Sequence, residues 1–242
     1  MLIINEGFKK FQNAYTPALN KINLELKEGE FCILIGSNGS GKSTLLKAIN
    51  GECSLDSGQI EIQNQLITHH KIHQRAQFIS SLSQDVTQAT ISEMTVLENM
   101  TLSYGENIKN KNSKIKNELK SINLGLENHL HTPLKNLSGG QRQMIATLMA
   151  FSKNPKILLL DEHTSALDPH SQKILMQFTV DNIKKTKVST IMITHHMQDA
   201  LDFGERLIML NQGRIILDLK GKAKNEITLS RLYDLFHEGA KQ

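Results

Sequence analysis

Short apolar runs broken by turn residues fill the first and last thirds of this chain, while the middle third carries its apolar residues at helical spacing. Residues 18–26 alternate as a strand, Gly29 makes a turn, and the apolar run 31–35 leads through a glycine-rich loop into a helix predicted over 42–50. Residues 59–62 alternate polar and apolar, as one arm of a hairpin, and 77–82 read as a further strand. Between 91 and 150 the positions Leu97, Met100, Ile115, Leu119, Ile122, Met144 and Leu148 fall on helix faces, with few strand signals. The pattern then returns to strand (157–160), helix (after Pro169), strand (190–194), another helix and a hairpin across Asn211-Gln212-Gly213, with 219–242 expected as a short helical tail. That order predicts a parallel α/β core with helices on both faces, interrupted by a helical insertion. No internal repeat is visible.

Composition narrows the setting. The 242 residues with 39% hydrophobic content suit one domain, or one domain with a subdomain. No apolar run approaches the ~20 residues of a membrane-spanning helix, and the start of the chain lacks the features of a secretory leader. A cytoplasmic location is therefore expected. Cys32 and Cys53 are neither a disulfide framework nor a metal-spaced pair, and both read as structural. The net charge of +4 is spread among mixed charges. Its densest patch, Lys109, Lys111, Lys114, Lys116 and Lys120, lacks stacking aromatics, so it reads as a solvated face and no nucleic-acid partner is expected.

Three segments carry chemistry. Gly36, Ser37, Asn38, Gly39, Ser40, Gly41, Lys42, Ser43 and Thr44 follow a strand and open a helix, the context in which this glycine spacing cradles phosphate on backbone N–H groups. Lys42 then neutralises the β- and γ-phosphates, and the Ser43 hydroxyl suits Mg²⁺. Asp161 ends an apolar strand at the carboxyl edge of the sheet, where ligands of open α/β folds collect, and is expected to hold Mg²⁺ through water. Ser138, Gly139, Gly140 and Gln141 precede another apolar-faced helix, a second N-terminus suited to an anion.

In this order, Gly36 to Thr44, Leu137-Ser138-Gly139-Gly140-Gln141 and Asp161-Glu162 resemble the ATP-binding-cassette (ABC) ATPase family, and the similarity spans nearly the whole chain. The resemblance implies a P-loop α/β fold: a mostly parallel sheet, an N-terminal antiparallel β subdomain, and an inserted helical signature subdomain at 86–153 within a single domain, 1–242. It implies ATP and Mg²⁺ as ligands and Glu162 as general base. Gln84 matches the mobile glutamine that ligates Mg²⁺ or water, and His195 the histidine that contacts the γ-phosphate. Ser138 to Gln141 would bind the γ-phosphate held by a second copy, giving a head-to-tail dimer with two ATP molecules in its seam. Asp168, in the stretch Ser165-Ala166-Leu167-Asp168, would line that seam. For stacking on adenine, alignment favours Phe11, with Tyr15 as runner-up. Two positions depart from the family pattern: His163, where proline is frequent, and His196, where an acidic residue or asparagine is common; both read as tolerated surface positions rather than a metal site or pH sensor.

Members of this size without membrane spans usually serve as nucleotide-binding subunits of transporters. Integral-membrane permease subunits and a solute-binding protein are therefore implied partners, at the cytoplasmic face of the membrane. Residues 131–136 lack the acidic motif typical of exporters, which favours import, and residues 161–169 and 213–218 resemble a bacterial subgroup serving branched-chain or tryptophan/tyrosine-type systems. A soluble assembly factor and a lipid or lipoprotein exporter share every nucleotide motif and stay open at this level.

Overall fold

In the computed structural model, which describes residues 1–104, 111–122, 124–165 and 167–239, the chain begins with β1 (Leu2–Lys9), β2 (Leu19–Leu26), β3 (Phe31–Gly36), helix α1 (Lys42–Asn50), β4 (Ser57–Ile62), β5 (Gln65–Leu66), α2 (Ile72–Arg75) and β6 (Ile79–Leu82). Helices α3 (Val96–Tyr104), α4 (Lys111–Ser121) and α5 (Gly139–Ser152) follow, with short 3₁₀ turns at Leu126–His129 and Leu134–Asn136 between α4 and α5. The chain continues with β7 (Ile157–Asp161), α6 (Pro169–Thr186), β8 (Ser189–Ile193), α7 (Met197–Asp202), β9 (Arg206–Asn211), β10 (Arg214–Lys220), α8 (Gly221–Glu226) and α9 (Leu229–Gly239). None of the described helices is long and apolar enough to cross a membrane.

The strands form a four-stranded sheet in the order β2-β1-β4-β5 and a six-stranded sheet in the order β10-β9-β3-β8-β7-β6. The smaller is antiparallel. The larger is parallel from β9 to β6, with β10 antiparallel on β9. This is the expected α/β class with a mostly parallel main sheet. Strand β3 is buried at every position because both of its faces are covered, which is why 31–35 reads as an unbroken apolar run. The period of two sorts the side chains: Leu34, Leu159 and Ile191 face one core with Leu45, Ile49 and the small sheet, whereas Ile33, Leu158 and Met192 face the other with α6 and α7. A third cluster joins Val96 and Met100 of α3, Ile115 and Leu119 of α4, and Met144 and Leu148 of α5 to Leu175 of α6, each pair four residues apart on one helix face.

Where pattern and structure differ, long-range pairing is the reason. Strand β1 has no counterpart among the expected elements. Its alternation fails at Glu6-Gly7, where Glu6 takes a φ of 50° and the register shifts between Ile4 and Gly7, and the strand exists because β2 and β4 pair with its two edges. Likewise β6 starts at Ile79 rather than 77, and β10 runs to Lys220 before the tail becomes helical. The basic stretch is largely helix α4, with Ile115 and Leu119 buried and Lys114, Lys116 and Lys120 exposed; Lys109 lies outside the described residues. Arg75 is 2% exposed and has no carboxylate partner among the described residues. Its guanidinium instead donates to the carbonyls of Ala48, Ile49, Thr68 and His70, fastening the last turn of α1 to the connection leading into β6.

Candidate functional site

Helix α1 starts where its sequence makes starting possible. Gly41 is the N-cap with φ 106° and no side chain caps the helix, so the first N–H groups face the loop without an internal partner. Close approach matters as much as dihedral freedom here: a Cβ on Gly41 would lie 2.2 Å from the Ala18 carbonyl oxygen, and one on Gly36 would lie 2.3 Å from that of Leu210. Gly39, at φ 78°, has open space instead. The loop is also clasped from outside, since the Gly213 amide donates to the Ser40 carbonyl at 2.9 Å and the Asn20 amide to the Gly213 carbonyl at 2.8 Å.

Inside this loop the Lys42 ammonium is 5% exposed and donates to the carbonyls of Gly36 (2.8 Å) and Ser37 (2.9 Å). Burial lowers its pKa, against the pull of Glu162 and Asp161. The Ser40 hydroxyl oxygen is buried with no hydrogen-bond partner among the described residues. A lysine, an uncapped helix terminus and an unsatisfied hydroxyl, on a loop whose Gly36 and Gly41 have no room for a Cβ, fit the phosphates of a nucleotide.

The other acidic and amide groups gather at the same edge. Burial raises the Asp161 carboxyl above the ordinary carboxylate range, while a hydrogen bond with Ser43 opposes that rise. This hydroxyl–carboxylate pair suits Mg²⁺, a hard cation that takes oxygen ligands. Gln84 is exposed and borders an open cleft of about 840 Å³ together with Ser43, Asn50, Ser81 and Asp161. Glu162 takes a left-handed φ of 50°, its amide donates to the Ile193 carbonyl at 3.2 Å, and its carboxylate meets the Nε2 of His195. Backbone strain of this kind in a non-glycine residue collects at functional sites. Lys42, Ser43, Gln84, Asp161, Glu162 and His195 thus come to the carboxyl edge of β3, β6, β7 and β8.

The remaining expected residues lie elsewhere. Ser138 caps α5 in a reciprocal box: its hydroxyl oxygen accepts from the Gln141 amide at 3.2 Å, and the Gln141 side-chain oxygen accepts from the Ser138 amide at 3.0 Å. A Cβ on Gly140 would lie 3.3 Å from the Ser171 hydroxyl, so this corner packs on the start of α6. There Asp168 is the N-cap, accepting from the amides of His170 and Ser171, and bonds from Ser171 hold its carboxyl below the usual range. Ala166, in the same stretch, lies outside the described residues. Phe11 and Tyr15 are both exposed in the β1–β2 connection, which ends against Gly41 at Ala18; the Lys9 ammonium lies 5.7 Å from the Phe11 ring.

One expectation is overturned. His163 is not a surface residue: it is 2% exposed, its Nε2 lies 3.2 Å from the Thr179 hydroxyl, and burial pushes its pKa down to about 4. The packing of α6 over the loop covers it, a contact between distant segments that local sequence does not express. His196 is exposed, as expected, at the start of α7.

A parallel sheet whose central strand runs through a glycine cradle into a helix, with acids on the neighbouring strand, defines a P-loop nucleotide-binding ATPase. Residues 19–165 match the ABC transporter family. The chain is 36% identical over 247 residues to the "Tyrosine transport ATP-binding protein" of Clostridioides difficile (strain R20291), covering 98% of both. It is 30% identical over 246 residues to a "Phosphonates import ATP-binding protein" of Hydrogenovibrio crunogenus, covering 96% of this chain and 89% of that one. Among solved structures, the dimeric post-hydrolysis state of the ATP-binding cassette MJ0796 bound to ADP and Pi superposes with a TM-score of 0.78 at 28% identity, over 91% of this chain and 98% of the other. The chain belongs to the ABC transporter family and is an ATP-binding cassette ATPase.

Proposed function

We propose that this chain is the ATP-hydrolysing subunit of a bacterial-type solute importer for an amino acid of the tyrosine or tryptophan kind. It would work as one cassette, 1–242, whose 86–153 segment forms the helical signature subdomain. The observation that carries the reading is the convergence of Lys42, Ser43, Asp161, Glu162 and His195 at one sheet edge. Residues 36–44 hold the phosphates of ATP, and Phe11 stacks on the adenine. Ser43, Asp161 and Gln84 hold Mg²⁺, which when bound neutralises charge on the β- and γ-phosphates. Glu162 takes the proton of the attacking water, and His195 orients that carboxylate and the γ-phosphate.

Ser138 to Gln141 and Asp168 belong to a seam with a second copy and meet the γ-phosphate that the second copy binds. In support, the capped helix α5 opens against Ser171 in the first turn of α6, the helix that Asp168 caps, and a similar solved cassette is dimeric with ADP and Pi. Closure of the dimer on ATP and reopening after hydrolysis would move permease subunits at the cytoplasmic face of the membrane, with a solute-binding protein delivering cargo. Import is supported by residues 131–136, which lack an acidic exporter-type motif, and by the import role of the phosphonates relative.

Cells lacking this chain should lose uptake of labelled tyrosine or tryptophan. The wild-type chain should restore it, and Glu162→Gln, expected to turn over ATP on the order of 10²–10⁴-fold more slowly, should not. Unchanged uptake of both amino acids in the deleted strain would overturn the transport reading.

A further inference from the structure

The loop between β7 and α6 carries Glu162 at one end and Asp168 at the other, and a buried ring directly after Glu162 ties it to the helix behind it. His163 is 2% exposed and Thr179, in the interior of α6, is 0% exposed. The Thr179 hydroxyl donates one turn back to the Leu175 carbonyl at 2.8 Å. A hydroxyl has one proton, so toward the ring at 3.2 Å its oxygen accepts, and the hydrogen sits on His163 Nε2. The imidazole is thus a neutral donor aimed at a fixed point of an 18-residue helix.

What this anchor restrains is the residue just before it. Glu162 is in the left-handed region that non-glycine residues seldom adopt. Its amide is held by the Ile193 carbonyl, and its own carbonyl accepts from the Ser165 amide at 3.0 Å and the Ser165 hydroxyl at 2.9 Å. Those bonds tie the loop to β8 and to itself. Asp168 caps the helix four residues after Thr164. Between these points, the His163–Thr179 bond is a buried side-chain hydrogen bond from the loop to the body of α6.

We propose that His163 is a positioning residue for hydrolysis: its Nε2–H bond to Thr179 holds the Glu162 backbone, and so the carboxylate facing His195, in one orientation without touching nucleotide. This rests on the reading of Glu162 as general base. Nucleotide binding is carried by the glycine loop and Lys42, on other elements, so the role shows in kcat and leaves KM for ATP in place.

The test uses the purified full chain. His163→Leu keeps apolar bulk and loses the donor, His163→Gln keeps a donor of similar reach, and Thr179→Val removes the acceptor. Steady-state kcat and KM for ATP and thermal unfolding are measured for each, for the His163→Leu/Thr179→Val pair, and for Glu162→Gln. The expected result is a kcat roughly three- to tenfold lower in His163→Leu and in Thr179→Val, the worth of one buried hydrogen bond. KM should hold, the double variant should be no slower than either single, and His163→Gln should recover most of the rate. Wild-type kcat in His163→Leu beside an inactive Glu162→Gln overturns the positioning role alone; so do losses that add in the double variant without recovery by glutamine, the mark of packing only. Wild-type turnover by Glu162→Gln overturns the base assignment and the positioning role with it. Should His163→Leu fail to fold, Thr179→Val removes the same bond from the other side and carries the test.

Discussion

Replacing Gly41 with alanine, and Gly39 with alanine for comparison, separates two demands that the glycine loop makes on its backbone. Both glycines have positive φ, 106° and 78°. An alanine at either position pays the left-handed penalty of roughly 1–2 kcal/mol. At Gly39 nothing lies within 4 Å of the new Cβ, so the cost stops there. At Gly41 the Cβ would sit 2.2 Å from the Ala18 oxygen, and that carbonyl cannot simply swing away. The Ala18 amide is bonded to the Lys9 carbonyl at 2.8 Å, and Gly213, against the same carbonyl, donates to the Ser40 carbonyl at 2.9 Å. Relief requires β2, the β9–β10 turn or the loop itself to move, an overpacking cost of about 1–3 kcal/mol more. For a chain of this size about 1 kcal/mol shifts Tm by ~2–4 °C. Gly39→Ala should therefore lower Tm by about 2–8 °C and Gly41→Ala by about 4–20 °C. Any relief that moves the loop also shifts the uncapped N–H groups and Lys42, so Gly41→Ala should weaken ATP binding by about tenfold or more, the equivalent of ~1.4 kcal/mol. Thermal unfolding and equilibrium titration with a fluorescent ATP analogue read both effects. Equal Tm losses and equal affinities in the two variants would refute the steric part of the reasoning.

Other outcomes follow from the same geometry. Lys42→Ala should bind ATP weakly while remaining folded, because it removes the charge at the phosphates and leaves the backbone cradle; unchanged titration would show that the cradle is not the nucleotide site. Mixing Lys42→Ala with Ser138→Arg should restore ATPase activity that neither has alone, since one of the two seam sites then pairs an intact glycine loop with an intact signature; no gain at concentrations that dimerise the wild type would defeat the head-to-tail model. Stability should also fall with acid on account of His163, whose pKa drops from 6.5 to about 4 on burial. Below pH 6.5 the unfolded chain takes up a proton that the native chain refuses until about pH 4, so this stabilisation is complete above 6.5 and is lost as pH falls, by about 3 kcal/mol in all. Urea unfolding at pH 7 and pH 4.5 should show a smaller difference in His163→Leu, and the same difference in both proteins would remove the ring as the cause.

Much of the chemistry was legible in the sequence because it depends on short-range geometry. Gly41 and Gly51 bracket α1, and the expected span 42–50 coincides with the helix because each glycine takes a positive φ at its boundary. The same holds for Ser138, whose spacing to Gln141 is the distance a capping box requires. Apolar runs marked β3 and β7 as interior strands, since burial on both faces leaves no room for alternation. Contacts between remote segments were decided only by the fold. Neither the Glu162–His195 contact nor the Ser43–Asp161 bond can be read from positions dozens of residues apart until β3, β7 and β8 lie side by side. Strand β1 needed partners on both edges to override a broken pattern, and Arg75 became interior because four backbone carbonyls from two segments converge on it. His163 shows the limit most directly: a histidine in a polar loop is locally indistinguishable from a surface residue, and only the packing of α6 across that loop makes it a buried donor to Thr179. Backbone geometry over a few residues is fixed by steric and hydrogen-bonding rules that act within those residues, whereas burial is a property of what the rest of the chain places on top of them.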